Sequence, residues 1–110
     1  MKTAQDVVQN DLDSIIHHAG DAFARLSGRR LTIAGGAGFL GYYLVQSALH
    51  WNRRHAGSPA IDLVVLDSFV RGVPDWLTAL ESDPRLTLIR HDVTQPLPKD
   101  LGDIDYLIHA

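Results

Sequence analysis

Apolar side chains recur at Val8, Leu12, Ile15, Ile16, Ala19, Phe23 and Leu26. Their steps of three and four predict one amphipathic helix over residues 4–26, with Gly20 as a point of interruption. Thr3 with Asp6 reads as its start, and Ser27–Gly28 as its stop. The period then changes. Leu31–Ala34 is a short apolar run of strand type, and Phe39 to about His55 returns to helical spacing. That second helix should turn Leu40, Leu44, Val45, Ala48 and Leu49 inward and stop at Gly57. Ile61–Leu66 is almost continuously apolar, as a parallel strand covered on both faces would be. Pro74 suits the first turn of a short helix running to about Ser82. Leu86–Ile89 is a third strand, and Tyr106–Ile108 begins a fourth after the loop "TQPLPKDLGD". Strands alternating with helical segments imply an α/β chain with a parallel sheet and right-handed crossovers.

The junction between the first strand and the second helix carries the chemistry. In "LTIAGGAGFLGYYL" (31–44), side chains disappear at Gly35, Gly36, Ala37 and Gly38, where a core should be densest. Gly36, Gly38 and Gly41 spell G-x-G-x-x-G, while Gly35, Gly38 and Gly41 spell G-x-x-G-x-x-G. Either way an early glycine allows the sharp turn out of the strand, Gly38 lets a pyrophosphate approach the backbone, and Gly41 lets the helix pack on the sheet. Free N–H groups at the helix start then face the anion. An ATPase-type phosphate loop is excluded, because Tyr42 and Tyr43 follow Gly41 where Lys and Ser/Thr would be needed. Asp67, at the end of the next strand, can accept hydrogen bonds from both adenosine ribose hydroxyls and repel a 2′-phosphate, or it can cap a turn. The ribose role favours NAD over NADP. Arg71, just past the strand, could accommodate a 2′-phosphate.

Composition narrows the classes. With 110 residues, 45% apolar and 21% charged, the chain reads as one globular domain at most. A net charge of −3 with only the isolated pairs Arg29–Arg30 and Arg53–Arg54 argues against nucleic acid and anionic membranes. Cysteine is absent, no apolar run approaches the ~18 residues of a membrane span, and Met1–Asp13 is too polar for a signal peptide. A cytoplasmic location is the expectation. His17, His18 and Asp21 share a spacing that could hold a metal, but with no third strong ligand a solvated helix face is the reading. No metal site is expected.

The segments "AGGAGFLG" (34–41), "VVLDSFVRG" (64–72), "HDVTQPL" (91–97) and "DYLIHA" (105–110) together resemble the extended short-chain dehydrogenase/reductases, the NAD-dependent epimerase/dehydratase group acting on nucleotide sugars. Ala34 stands where that family usually has threonine, which removes a side-chain hydrogen bond but no backbone donor. The resemblance implies the N-terminal part of a doubly wound Rossmann domain with strand order 3-2-1-4, occupying residues 29–110 after a helical extension at 1–28. It implies that main-chain N–H groups at Phe39 and Leu40 face the pyrophosphate, that Ser68 and Phe69 line the adenosine side, and that Asp92 meets the adenine amino group with Val93 flanking the ring. Asp92 could equally cap a turn before Thr94. His109 matches a histidine of structural rather than catalytic character.

The family's proton-transfer pair, Tyr-x-x-x-Lys, has no counterpart here. Four residues beyond the three tyrosines stand Gln46, Ser47 and Ala110, and the lysines are Lys2 and Lys99. No catalytic residue is therefore expected in these residues. The resemblance implies the NAD-binding portion of a nucleotide-sugar epimerase, dehydratase or decarboxylase, inactive alone and homodimeric when intact. A non-catalytic dinucleotide-sensing or scaffold module is the alternative.

Overall fold

The computed structural model describes residues 3–92, 94–98 and 101–110. A capping box opens the first helix, α1 (Ala4–His18): Asp6 N–H donates to Thr3 Oγ1 at 3.1 Å, and Thr3 N–H donates to Asp6 Oδ2 at 2.9 Å. The helix breaks at Ala19 (φ −105°, ψ 22°) and restarts as α2 (Gly20–Leu26), so the single predicted helix is two. Ser27 caps α2, and Gly28 takes the left-handed φ of 73° that turns the chain into the sheet.

Four parallel strands follow: β1 (Arg30–Ala34), β2 (Asp62–Asp67), β3 (Leu86–Arg90) and β4 (Tyr106–His109). Their order is β3-β2-β1-β4, as expected from the resemblance, with Leu31 opposite Leu63 on one side and Tyr106 on the other. The crossovers are α3 (Phe39–Arg54) and α4 (Asp75–Thr78). Alternation along the strands sorts the core. Leu31, Ile33, Leu63 and Val65 meet Val45, Ala48 and Leu49 of α3, whereas Val64 and Leu66 point the other way, to Leu101. Asn52 of α3 extends the order below β2, donating to Ile61 O at 2.9 Å and accepting from Ile61 N–H at 2.8 Å.

Three local expectations are corrected. Helix α4 ends at Thr78, with Pro74 as its cap rather than in its first turn. Leu80, Glu81 and Asp83 form tighter i→i+3 bonds instead. Gly57 does not stop α3, which closes at His55 (φ −125°), and Gly57 is not in the left-handed region. Leu40 is 56% exposed, because the inward position of the first turn belongs to Gly41.

The N-terminal extension packs on α3. Leu12 is fully buried, and Asp13 Oδ1 accepts from buried His50 Nε2 at 2.7 Å and from Arg54 Nη2 at 3.1 Å. The His50 hydrogen bond, reinforced by the Arg54 charge, holds the Asp13 carboxyl below its ordinary value. A carboxyl lowered by folding adds stability above its unfolded pKa and loses it as pH falls through the folded one. Asp13→Asn should therefore lower the thermal midpoint at neutral pH, with the gap to the parent closing below the usual carboxylate range. A gap independent of pH would show that the charge on Asp13 is immaterial to docking.

Candidate functional site

The glycine turn is built from four small residues with different reasons to be small. Gly35 has φ 79°, and a Cβ there would stand 2.6 Å from Ala110 O. Of the two glycine spellings, it is thus Gly35 that makes the sharp turn. A Cβ on Gly36 would meet Val65 Cγ1 at 2.6 Å. One on Gly41 would lie 2.1 Å from Gly36 O, so the close approach this glycine permits is helix to turn rather than helix to sheet. Gly38 is different. Its φ is −83°, and the nearest atom to a Cβ would be Gly35 O at 3.6 Å, an ordinary contact. Nothing within the described residues requires Gly38 to be glycine. Its missing Cβ leaves a cradle open to a ligand.

That cradle lies at a helix start left unsatisfied by the chain. Gly38 caps α3 with no side-chain hydrogen bond, and the first turn contains no acidic residue. Among the described residues no acceptor is found for the N–H groups of Phe39, Leu40 and Gly41, and the first helix-closing bond is Tyr42 N–H to Gly38 O. Three donors and the positive end of a sixteen-residue helix converge on one place. Phe39 and Leu40 contribute backbone there, their side chains standing 84% and 56% exposed.

Across from the turn, the loop after β2 forms the second wall of a cleft of ≈ 390 Å³. Its lining includes Ala37, Gly38, Asp67, Phe69, Arg71 and Pro74. Asp67 Oδ2 accepts from Ala37 N–H at 3.1 Å, and Oδ1 from Phe69 N–H at 2.9 Å. The turn-capping alternative for Asp67 is thus present. A carboxylate offers about four acceptor sites, so two stay free for a ligand's hydroxyl groups. Phe69 is buried and has φ 52°, the single non-glycine in left-handed conformation among the described residues. Arg71 is exposed at the lip, with no ion pair among the described residues. Ser68 is half-buried beside the cleft, its carbonyl accepting from Arg90 Nη1 at 3.4 Å.

Asp92 stands apart. Its Oδ1 accepts from Thr94 N–H at 2.9 Å and Thr94 Oγ1 at 2.8 Å, and these bonds hold its carboxyl below the ordinary value. It caps its own turn and does not line the cleft. Val93 lies outside the described residues. His109 lines a separate ≈ 170 Å³ cavity with His91, Leu97 and Leu107, against Ala34 of β1 and Leu66 of β2. The break at Ala19 puts Asp21 on a different helix from His17 and His18, and no group of three metal-ligating side chains occurs among the described residues. Among the same residues no helix is long and apolar enough to cross a membrane. Sequence reading missed Ala37, Val70, Gly72 and Pro74 as cleft residues. Gly72 had a signal in the Arg-Gly step, where it takes φ 80°, whereas the Ala37 contact spans 30 residues and leaves no local mark.

Comparison with known proteins bears on this geometry. UDP-glucuronic acid decarboxylases of Arabidopsis thaliana match at 37% identity over 83 residues, 36% over 81 and 38% over 80. Over the matched region the chain belongs to the epimerase/dehydratase group of the extended short-chain dehydrogenase/reductases. The matches cover 76%, 74% and 73% of this chain. They cover 21%, 22% and 20% of the relatives, so the chain spans about a fifth of the length of the curated proteins it resembles. No family model and no solved structure matches the chain. The parallel sheet in the order β3-β2-β1-β4, flanked by helices, is the N-terminal half of a Rossmann-like domain.

Proposed function

We propose that this chain is the dinucleotide-binding part of a nucleotide-sugar decarboxylase, epimerase or dehydratase, and that its resident cofactor is NAD. The observation that carries the reading is Gly38, a glycine that no internal contact demands, at an uncapped helix start facing Asp67. The cradle fits a pyrophosphate, with Phe39 and Leu40 N–H as donors, and the two free acceptor sites of Asp67 fit a ribose diol. Ser68 and Phe69 complete the adenosine side, and Asp92 with Val93 the adenine end. Bound NAD would supply a reversible hydride acceptor. The residues of this chain bind and orient it. A proton-transfer pair must come from elsewhere in the enzyme, since no tyrosine here has a lysine four residues on. The intact enzyme is proposed to be a cytoplasmic homodimer acting on a nucleotide sugar.

NAD is expected to bind more tightly than NADP, because Asp67 would repel a 2′-phosphate. Hydrogen bonds to a charged group contribute about 1.5–3 kcal/mol. Asp67→Ala should then weaken NAD binding by roughly ten- to a hundredfold. Titration calorimetry on both proteins measures this. Equal NADP affinity in the parent would move the discriminating role to Arg71, and no binding of either dinucleotide would overturn the reading.

A further inference from the structure

Asp67 stands between two stretches of main chain and hydrogen-bonds to both. On one side lies the middle of the glycine turn. Gly35 N–H is tied to Leu66 O at 2.7 Å and Gly38 N–H to Gly35 O at 3.3 Å. Between them, the tether from Ala37 N–H runs to Asp67 Oδ2. Glycines on both sides of Ala37 give the segment wide conformational freedom, so a turn without that tether would sample many shapes. On the other side lies Phe69, whose left-handed backbone is disfavoured for a residue with a bulky side chain. Such a conformation persists only where its surroundings over-determine it. Here Asp67 Oδ1 takes its N–H, Gly72 N–H donates to its carbonyl at 2.8 Å, and its ring is buried.

We propose that Asp67 is a positioning residue as well as a ligand: one carboxylate clamps the two walls of the cleft together and holds the Gly38 cradle in shape before any ligand arrives. Its effect on dinucleotide binding rests on the reading given above. The clamp itself does not. A carboxylate suits the task because both its oxygens only accept. Asparagine has one accepting oxygen and an NH₂ group, which would confront one of the two backbone donors with another donor. An amide at 67 therefore releases one wall even though it stays polar and nearly isosteric.

The test joins amide NMR of the parent with a binding cycle. In the parent, the Ala37 and Phe69 amide nitrogens should each show a through-hydrogen-bond coupling to the Asp67 carboxyl carbon. Asp67→Asn and the parent are then each titrated with ADP and with its 2′,3′-dideoxy analogue, which lacks the diol. The clamp predicts that Asp67→Asn still loses about tenfold or more in affinity for the dideoxy analogue. Unchanged affinity for the analogue, with loss confined to ADP, would make Asp67 a ribose ligand only and overturn the proposal. Absence of these couplings in the parent would overturn it as well, whether or not the variant folds. Both couplings in a parent that binds neither nucleotide would leave the clamp standing and refute the dinucleotide reading.

Discussion

Gly38→Val is expected to abolish dinucleotide binding while leaving the far-UV circular dichroism of the protein unchanged. The fold has room for the added Cβ. The backbone at Gly38 is extended (φ −83°, ψ −172°), a region β-branched residues favour, and the nearest internal atom would be 3.6 Å from the new Cβ. The ligand has no such room. A valine there fills the cradle in front of the Phe39 and Leu40 N–H groups and pushes a pyrophosphate out of reach. Losing two charge-assisted hydrogen bonds costs about 3–6 kcal/mol, a drop of more than about a hundredfold. Titration calorimetry with NAD checks it. Retained binding would mean that the pyrophosphate does not sit at this turn.

Gly41→Ala, three residues on, should have the opposite signature: an unfolding effect felt without any ligand. Its Cβ would be 2.1 Å from Gly36 O and 2.4 Å from Gly36 C. Both are backbone atoms, so no rotamer change can give way, and α3 would have to lift off the turn. Overpacking typically costs 1–3 kcal/mol, and contact with rigid backbone belongs at the upper end, about 3 kcal/mol. For a chain of this size that lowers the thermal midpoint by more than about 10 °C. An unchanged midpoint would show that α3 does not rest on the turn. The pair of variants separates a glycine kept for the fold from one kept for a ligand.

Much of the architecture was legible in the sequence because it rests on short-range pattern. Continuous apolar runs marked the strands, the switch from helical spacing to those runs marked the crossovers, and the order 3-2-1-4 followed once the family resemblance was seen. The misses were of two kinds. Some were local competitions: tight i→i+3 turns replacing the far end of α4, or Gly41 taking the inward position ascribed to Leu40. Others were polar contacts between distant segments. Asp13 with His50 and Asp67 with Ala37 lie 37 and 30 residues apart. Such pairs follow no period, so nothing in the spacing announces them. Asp92 shows the reverse: the capping of Thr94 was readable from two neighbouring residues, while any role toward a ligand is not written in its surroundings.

The placing of β4 beside β1 has a consequence for how this chain is made. Arg30 N–H donates to the Asp105 carboxylate at 2.8 Å, across 75 residues of chain, and the two strands pair in register just beyond. At synthesis rates of about 5–20 residues per second, β1 waits roughly 4–15 s on the ribosome for that neighbour. Throughout the interval one side of an apolar strand has its N–H and C=O groups open to pairing. Non-local pairing of this kind is intrinsically slow and exposed to aggregation. The glycine turn closes late for the same reason, because Gly35 is fitted against Ala110, which follows β4 far along the chain.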